Sequence, residues 1–178
     1  MKGTHVTLFY KKKEALKEKL CEFFGEGIKN SQRCVYITSE DDAHQIYEEL
    51  RNRYDPRKVT KLFSYFTIPD PIEGKEHFEE KLLNLKKTIL KKEFQGVVGF
   101  NVLGKMTRFS TEHIKKIEEI ERYLDKIKGD HLKMLCTFQI GEEDHSRKDA
   151  LEMGLKTHDY GYFEKDDGSF SQISLENK

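Results

Sequence analysis

The chain has 178 residues, of which 36% are hydrophobic, so its length favours one domain over residues 1–178 that folds without disulfides or structural metal. Its 32 basic and 32 acidic residues cancel, which argues against the basic excess that nucleic-acid-binding proteins use on phosphates. No apolar run reaches the roughly 20 residues that span a membrane, and MKGTHVTLFY lacks the apolar core of a signal peptide.

The three cysteines are odd in number and far apart, which predicts free thiols and a cytoplasmic location. Charged residues make up 36% of the chain, mostly Lys and Glu, and such a surface suits a thermophilic source. We expect no membrane partner and no nucleic-acid partner.

Strands and helices are predicted to alternate along the chain. β-branched, aromatic and apolar runs predict strands at residues 4–10, 33–38, 59–66, 95–103 and 132–140. Helical spacing of apolar residues predicts helices at residues 16–28, 43–50, 78–89, 114–127 and 146–153, with Gly154 ending the last. Asp167-Gly168, flanked by aromatic residues, predicts a carboxyl-terminal hairpin.

This order predicts a three-layer α/β domain with a mostly parallel sheet. Ligands of such sheets bind beyond the carboxyl ends of the strands. The residues that we expect there as ligand contacts are Tyr10, Lys11, Ser39, Glu40, Lys105 and Arg108. Each also has a plainer interpretation: Tyr10 closes the core, Ser39 and Glu40 begin a helix, and the basic residues are solvated.

The turn after the first strand lacks the features of a phosphate-binding loop. It runs from Tyr10 through Lys11, Lys12 and Lys13 to Glu14, without glycine, Ser or Thr. In a nucleotide-loop ATPase, glycines let backbone amides surround the phosphates and a hydroxyl holds magnesium. The three lysines attract an anion or form a solvated run before a helix. We therefore predict no cofactor and no catalytic residue.

Short motifs in a fixed order carry a resemblance to a known family. They are His5 with Phe9-Tyr10, Cys34 to Ile37, Gly96 to Phe100 with Gly104 to Thr107, Ile120-Glu121, Leu135-Cys136, and Thr157-His158. Their order and spacing resemble the MEDS domain, the DcmR-type sensory domain. That family is similar to a degenerate RecA/KaiC-like ATPase core without its Walker A loop. Lys105 and Arg108 depart from the family, which usually has an acidic residue and Trp there.

The resemblance implies a non-catalytic sensory or regulatory role in signal transduction. The expected partners are an unidentified small molecule, a signalling protein, or a second copy in a homo-oligomer. One alternative is a divergent KaiC-like ATPase in which Lys11 to Lys13 bind phosphates and Glu40 acts on water. The other is a structural oligomerisation module.

Two histidines and two cysteines, His5, Cys34, Cys136 and His158, also match family positions. Two His and two Cys can form a tetrahedral zinc site, but no two of these residues are closely spaced. Both cysteines lie within apolar runs, where a thiol behaves as a small hydrophobe. We therefore predict structural roles for all four and no metal site.

Overall fold

The computed structural model describes residues 3–67, 80, 84, 87, 96–127, 129–130, 132–141 and 148–173. Its strands are β1 (Thr4–Tyr10), β2 (Arg33–Thr38), β3 (Phe63–Thr67), β4 (Gly96–Lys105), β5 (Leu132–Gln139), β6 (Tyr160–Glu164) and β7 (Phe170–Ile173). Its helices are α1 (Lys13–Lys29), α2 (Glu40–Arg53), α3 (Pro56–Leu62), α4 (Thr111–Ile127) and α5 (Lys148–Thr157), with a 3-10 turn at Met106–Arg108. In the described part of the chain, no helix has the length and apolar content needed to cross a bilayer.

The strands form one sheet in the order β3-β2-β4-β5-β1-β6-β7. Strands β1 to β6 are parallel, whereas β7 returns antiparallel to β6. This topology confirms the mostly parallel sheet and the carboxyl-terminal hairpin. Because parallel strands share a direction, the carboxyl ends of β1 to β6 lie at one edge of the sheet.

Helices cover both faces of the sheet and make three layers. On one face, side chains of α1, α2 and α3, such as Leu20 and Leu50, bury the face of β1 that carries Leu8. On the other, α4 and α5 pack against the face of β1 that carries Phe9. Alternate residues of each central strand therefore face different cores. Because both faces are buried, the sequence of each of these strands is a nearly continuous apolar run.

The bounds of β1 and β2 agree with the sequence prediction, and so does the start of α2. Ser39 precedes this helix with extended backbone angles, and its hydroxyl accepts a hydrogen bond of 3.3 Å from the Asp42 amide. Ser110 caps α4 in the same way, because its hydroxyl accepts from the His113 amide at 3.3 Å. Both caps satisfy an amide that the first helical turn leaves free.

The predicted strand over residues 59–66 is wrong in its first half. Residues 56–62 form helix α3, and only 63–67 are extended. Asp55 caps the helix by accepting from the Arg57 amide at 2.9 Å, and Pro56 occupies the first turn, where it needs no amide partner. The cap and the proline outweigh the β-branched residues that follow them.

The predicted stop at Gly154 is also wrong, because α5 continues to Thr157. Gly154 lies inside the helix, where a β-carbon would stand 2.5 Å from Cζ of Phe9. Glycine here therefore permits close helix–sheet packing. The predicted helix at residues 78–89 lies outside the described residues except at positions 80, 84 and 87, which are helical.

Candidate functional site

The turn between β1 and α1 is filled from within the protein. Only Lys11 and Lys12 separate the strand from the helix, and their two amides donate to the same carboxylate oxygen, Oε2 of Glu164, at 2.5 and 3.1 Å. Glu164 ends β6 and is 1% exposed. Its carboxylate lies at the amino end of α1, where free amides and the helix dipole favour an anion. An internal carboxylate thus occupies the place where a phosphate loop would hold its ligand.

The side chain of Lys11 also turns to the hairpin. Its Nζ lies 2.9 Å from Oδ1 of Asp166 and 5.7 Å from the centre of the Phe163 ring. These contacts direct the ammonium group toward the β6–β7 hairpin. The structure therefore gives Lys11 a partner that its sequence context did not indicate.

A crevice lies between α1 and α2 at the carboxyl edge of the sheet, and we refer to it as the α1–α2 crevice. It contains about 340 Å³ of empty space, including a part that is open to solvent. Apolar and aromatic residues form part of its lining: Tyr10, Leu16, Leu20, Tyr36 and Ile46. Polar residues complete the lining: Lys13, Lys17, Asp42 and Gln45.

Beneath this crevice, buried polar side chains on four neighbouring strands, β2, β4, β5 and β1, form a network. Asn101 is its centre: Oδ1 accepts from the Thr137 hydroxyl at 2.9 Å, and Nδ2 donates to the Thr38 hydroxyl at 3.1 Å. The Tyr10 hydroxyl lies 3.5 Å from the same Oδ1. The network was not predicted, although an Asn within the apolar run GVVGFNVL was a visible signal for it.

Tyr10 therefore connects the crevice with the interior. It is 3% exposed, and burial, together with the nearby charge of Asp42, raises the pKa of its phenol well above the usual value. The hydroxyl stays protonated near neutral pH. Its one proton is directed to Oδ1 of Asn101, so a ligand in the crevice would meet the hydroxyl oxygen as an acceptor or would have to replace Asn101 as the acceptor.

The remaining predicted ligand contacts lie outside the lining of the crevice. The Ser39 hydroxyl is engaged as a helix cap, and Glu40 is exposed in the first turn of α2. Lys105 is exposed at the end of β4, and Arg108 is exposed in the 3-10 turn. Of the six predicted contacts, Tyr10 alone belongs to this crevice.

The backbone at the end of β4 explains the position of Arg108. The β4–β5 register shifts between Val102 and Lys105, and Gly104 has a φ of 85°. A β-carbon at Gly104 would stand 2.3 Å from Nη1 of Arg108, so the guanidinium packs directly on this glycine. The combination of positive φ and close contact requires glycine here.

On the opposite face of the sheet, three of the four candidate metal ligands come together. His5, Cys136 and His158 meet Glu121 of α4, and one ligand atom from each of the four residues lies within 4.8 Å of the other three. Cys34 is not part of this cluster, because its thiol faces the α1 side and lies 3.6 Å from the Phe24 carbonyl oxygen. We refer to the four residues as the His–Glu–Cys–His cluster.

Burial and neighbouring side chains shift the pKa values of the two acids in this cluster in opposite directions. Burial raises the pKa of the Glu121 carboxyl, but the imidazoles of His158 and His5 outweigh it and hold this pKa below its ordinary range. Burial and the Glu121 charge raise the pKa of the Cys136 thiol well above its usual value. The cluster therefore contains a buried carboxylate beside a neutral thiol.

Comparison with known families gives a match over most of the chain. The family described as MEDS, the methanogen/methylotroph DcmR sensory domain, matches residues 4–159. No curated protein is similar to this sequence.

Solved structures with a similar fold are remote in sequence. The RadB recombinase has a TM-score of 0.61 and 13% identity, over 89% of this chain and 73% of that chain. A protein of Pyrococcus horikoshii OT3 has a TM-score of 0.57 and 10% identity, over 98% and 88%. The ATP synthase subunit NeqB of Nanoarchaeum equitans has a TM-score of 0.55 and 14% identity, over 93% and 46%. These similarities identify a RecA-like fold.

Proposed function

Because this chain belongs to the MEDS family of sensory domains, we propose that it is a non-catalytic signalling module that binds a small molecule in the α1–α2 crevice. The proposal rests on the two hydrogen bonds that the Lys11 and Lys12 amides donate to the Glu164 carboxylate. A phosphate at this position would have to displace a buried carboxylate of the same sign. Nucleotide binding in the RecA manner is therefore disfavoured.

The chemistry of the crevice indicates the class of ligand. The lining residues Leu16, Leu20 and Ile46 favour an apolar body, because contact with these side chains removes apolar surface from water. The Lys13 ammonium group supplies hydrogen-bond donors for one polar group, and the Tyr10 hydroxyl oxygen can accept from it. We infer a small organic molecule with an apolar part and a single polar or anionic end.

Binding there would act on the relation between two helices. Arg53 of α2 already joins them, since its Nη1 and Nη2 donate to the Glu18 carboxylate of α1 at 2.8 and 2.6 Å. A ligand between the same helices adds a second link whose strength depends on its concentration. The output would pass from this helix pair to a signalling protein or to a second copy of the chain.

A thermal-shift titration tests this function. The probes are Mg-ATP, ADP and a panel of alcohols, amines and carboxylic acids with one to six carbons. We expect nucleotides to leave Tm unchanged and at least one organic probe to raise it. At a hundred times its Kd, a ligand adds about 2.7 kcal/mol to the free energy of unfolding.

Two neighbouring lysines provide matched variants. Lys13→Ala removes a side chain of the crevice lining, so the probe should raise Tm less in this variant. Lys12 lies outside the lining, so Lys12→Ala should leave the Tm shift unchanged. Stabilisation by Mg-ATP, with hydrolysis that is lost in Glu40→Gln, would instead establish the divergent ATPase. No response to any probe would favour an oligomerisation module.

A further inference from the structure

The His–Glu–Cys–His cluster is built from four separate segments. His5 comes from β1, Glu121 from α4, Cys136 from β5, and His158 from the connection between α5 and β6. Nε2 of His5 lies 3.2 Å from Sγ of Cys136 and 3.2 Å from Oε2 of Glu121. Nε2 of His158 lies 3.1 Å from the same Oε2. All four side chains are buried.

The outer nitrogen of each imidazole faces an oxygen. Nδ1 of His158 lies 2.6 Å from the Gly154 carbonyl oxygen, which accepts from it, and 2.9 Å from the Thr157 hydroxyl. Nδ1 of His5 lies 3.4 Å from Oδ1 of Asp125, close enough for an ion pair but without a hydrogen bond of good geometry among the described residues. Placing the proton on Nδ1 leaves the Nε2 lone pair directed to the centre of the cluster. For His158, this is the second-shell arrangement that orients metal-binding histidines.

Without a cation, the cluster is only partly satisfied. The neutral Cys136 thiol can donate to Nε2 of His5, but the neutral imidazole of His158, with its proton on Nδ1, directs the Nε2 lone pair at the Glu121 carboxylate. Neither oxygen of this carboxylate, nor Nε2 of His158, has a hydrogen bond of good geometry among the described residues. Protonating both rings would place two charges together, because their centres are 3.9 Å apart. Leaving buried polar atoms without partners is costly.

We propose that the His–Glu–Cys–His cluster binds one Zn²⁺ ion through Nε2 of His5, Nε2 of His158, Sγ of Cys136 and a carboxylate oxygen of Glu121. Two neutral imidazoles, one thiolate and one carboxylate balance the double positive charge. Nitrogen, sulfur and oxygen ligands suit this borderline-soft cation.

The dimensions of the cluster fit a tetrahedral site. Zinc bond lengths of about 2.0–2.3 Å place the ligand atoms of a tetrahedron about 3.3–3.6 Å apart. The three shortest contacts are 3.1–3.2 Å, and the four ligand atoms span no more than 4.8 Å. Four protein ligands leave no position for water, so the site is structural and ties β1, β5, α4 and the α5–β6 connection together.

The first test uses the wild-type chain with Zn²⁺ and Co²⁺ alone. After chelator treatment, we expect one equivalent of Zn²⁺ to bind and to raise Tm. Co²⁺ should give the intense visible bands of a tetrahedral site and a thiolate charge-transfer band in the near ultraviolet. No retained Zn²⁺ and no Tm shift, or a Co²⁺ complex without the thiolate band, would overturn the proposal.

Variants then identify the ligands. Losing a second-shell partner typically lowers metal affinity 10- to 100-fold, so Cys136→Ser and Glu121→Gln should each lower Zn²⁺ affinity by more than about 100-fold. Cys34→Ala is the matched control, because Cys34 is equally buried but faces the other core. Affinity that is unchanged in folded Cys136→Ser and Glu121→Gln proteins would contradict the site. If these variants do not fold, the Co²⁺ spectrum of the wild type decides.

Discussion

At the scale of single residues, Glu164 determines what the amino end of α1 can bind. Its carboxylate accepts from two consecutive amides that a phosphate loop would offer to a nucleotide. The residue lies in the carboxyl-terminal hairpin, about 150 positions away in sequence from the amides that it contacts. The protein thus retains the anion-binding geometry of a helix start but satisfies it internally.

We expect Glu164→Gln to destabilise the fold. The substitution keeps an acceptor but removes the charge, and hydrogen bonds to charged groups contribute about 1.5–3 kcal/mol, more than neutral ones. The free energy of unfolding should fall by about 1–2 kcal/mol. Guanidinium denaturation, monitored by circular dichroism, measures this change in the free energy of unfolding.

Asp166→Asn serves as the control for this prediction. Asp166 pairs with the side chain of Lys11, but it is fully exposed, so water screens the pair. Its loss should leave the denaturation midpoint unchanged. If Glu164→Gln and Asp166→Asn lowered the free energy of unfolding equally, the buried amide contacts of Glu164 would stabilise the fold no more than an exposed ion pair does.

At the scale of elements, the contact between α1 and the sheet depends on small residues. A β-carbon at Gly27 would stand 2.4 Å from Cγ2 of Val97 and 2.9 Å from Sγ of Cys34. Gly99 of β4 similarly makes room for the ring of Phe24. The helix can therefore lie close to β2 and β4 and form one wall of the α1–α2 crevice.

Gly27→Ala should therefore destabilise the protein, although alanine favours helices by up to about 1 kcal/mol. The added methyl group meets branched and buried side chains, and overpacking of this kind costs about 1–3 kcal/mol. Gly25→Ala is the comparison on the same helix, since its methyl group meets the outer end of the Tyr54 side chain, which can move. We expect the denaturation midpoint to shift less in Gly25→Ala than in Gly27→Ala. A larger shift in Gly25→Ala would refute the conclusion that the helix–sheet contact requires glycine at position 27.

At the scale of the whole molecule, the hairpin completes the sheet. The family match ends at residue 159, yet β6 pairs with β1 in parallel and β7 pairs with β6. Without these strands, β1 would become an edge with unpaired amides and carbonyls. Residues beyond the matched region thus contribute both an edge of the sheet and Glu164.

A chain that ends at residue 159 should consequently fail to fold as a monomer. The loss of β6 and β7 exposes one side of β1 and removes the carboxylate from the start of α1. Size-exclusion chromatography and circular dichroism would detect aggregation or loss of cooperative unfolding. A chain ending at residue 173 keeps β7 complete and is the control. A soluble, cooperatively unfolding 159-residue chain would disprove this role of the hairpin.

Local sequence determined much of the fold, because the spacing of apolar residues and the helix caps both depend on residues that are close together in the chain. It predicted both bounds of β1 and β2, the cap at Ser39 and the hairpin around Gly168. It failed at residues 59–62, where the Asp55 cap and Pro56 override β-branched side chains. It also established the missing phosphate loop, since that absence is a matter of residue type.

The sites were decided by tertiary structure. Which face a strand residue enters depends on register, so sequence did not show that Cys34 and Cys136 point into different cores. Glu121 lies on a helix far along the chain from His5 and joins it only because α4 crosses that face of the sheet. In the same way, Glu164 reaches the Lys11 amide because β6 pairs beside β1. Contacts between distant segments follow from packing of the whole chain, which residue type and spacing do not specify.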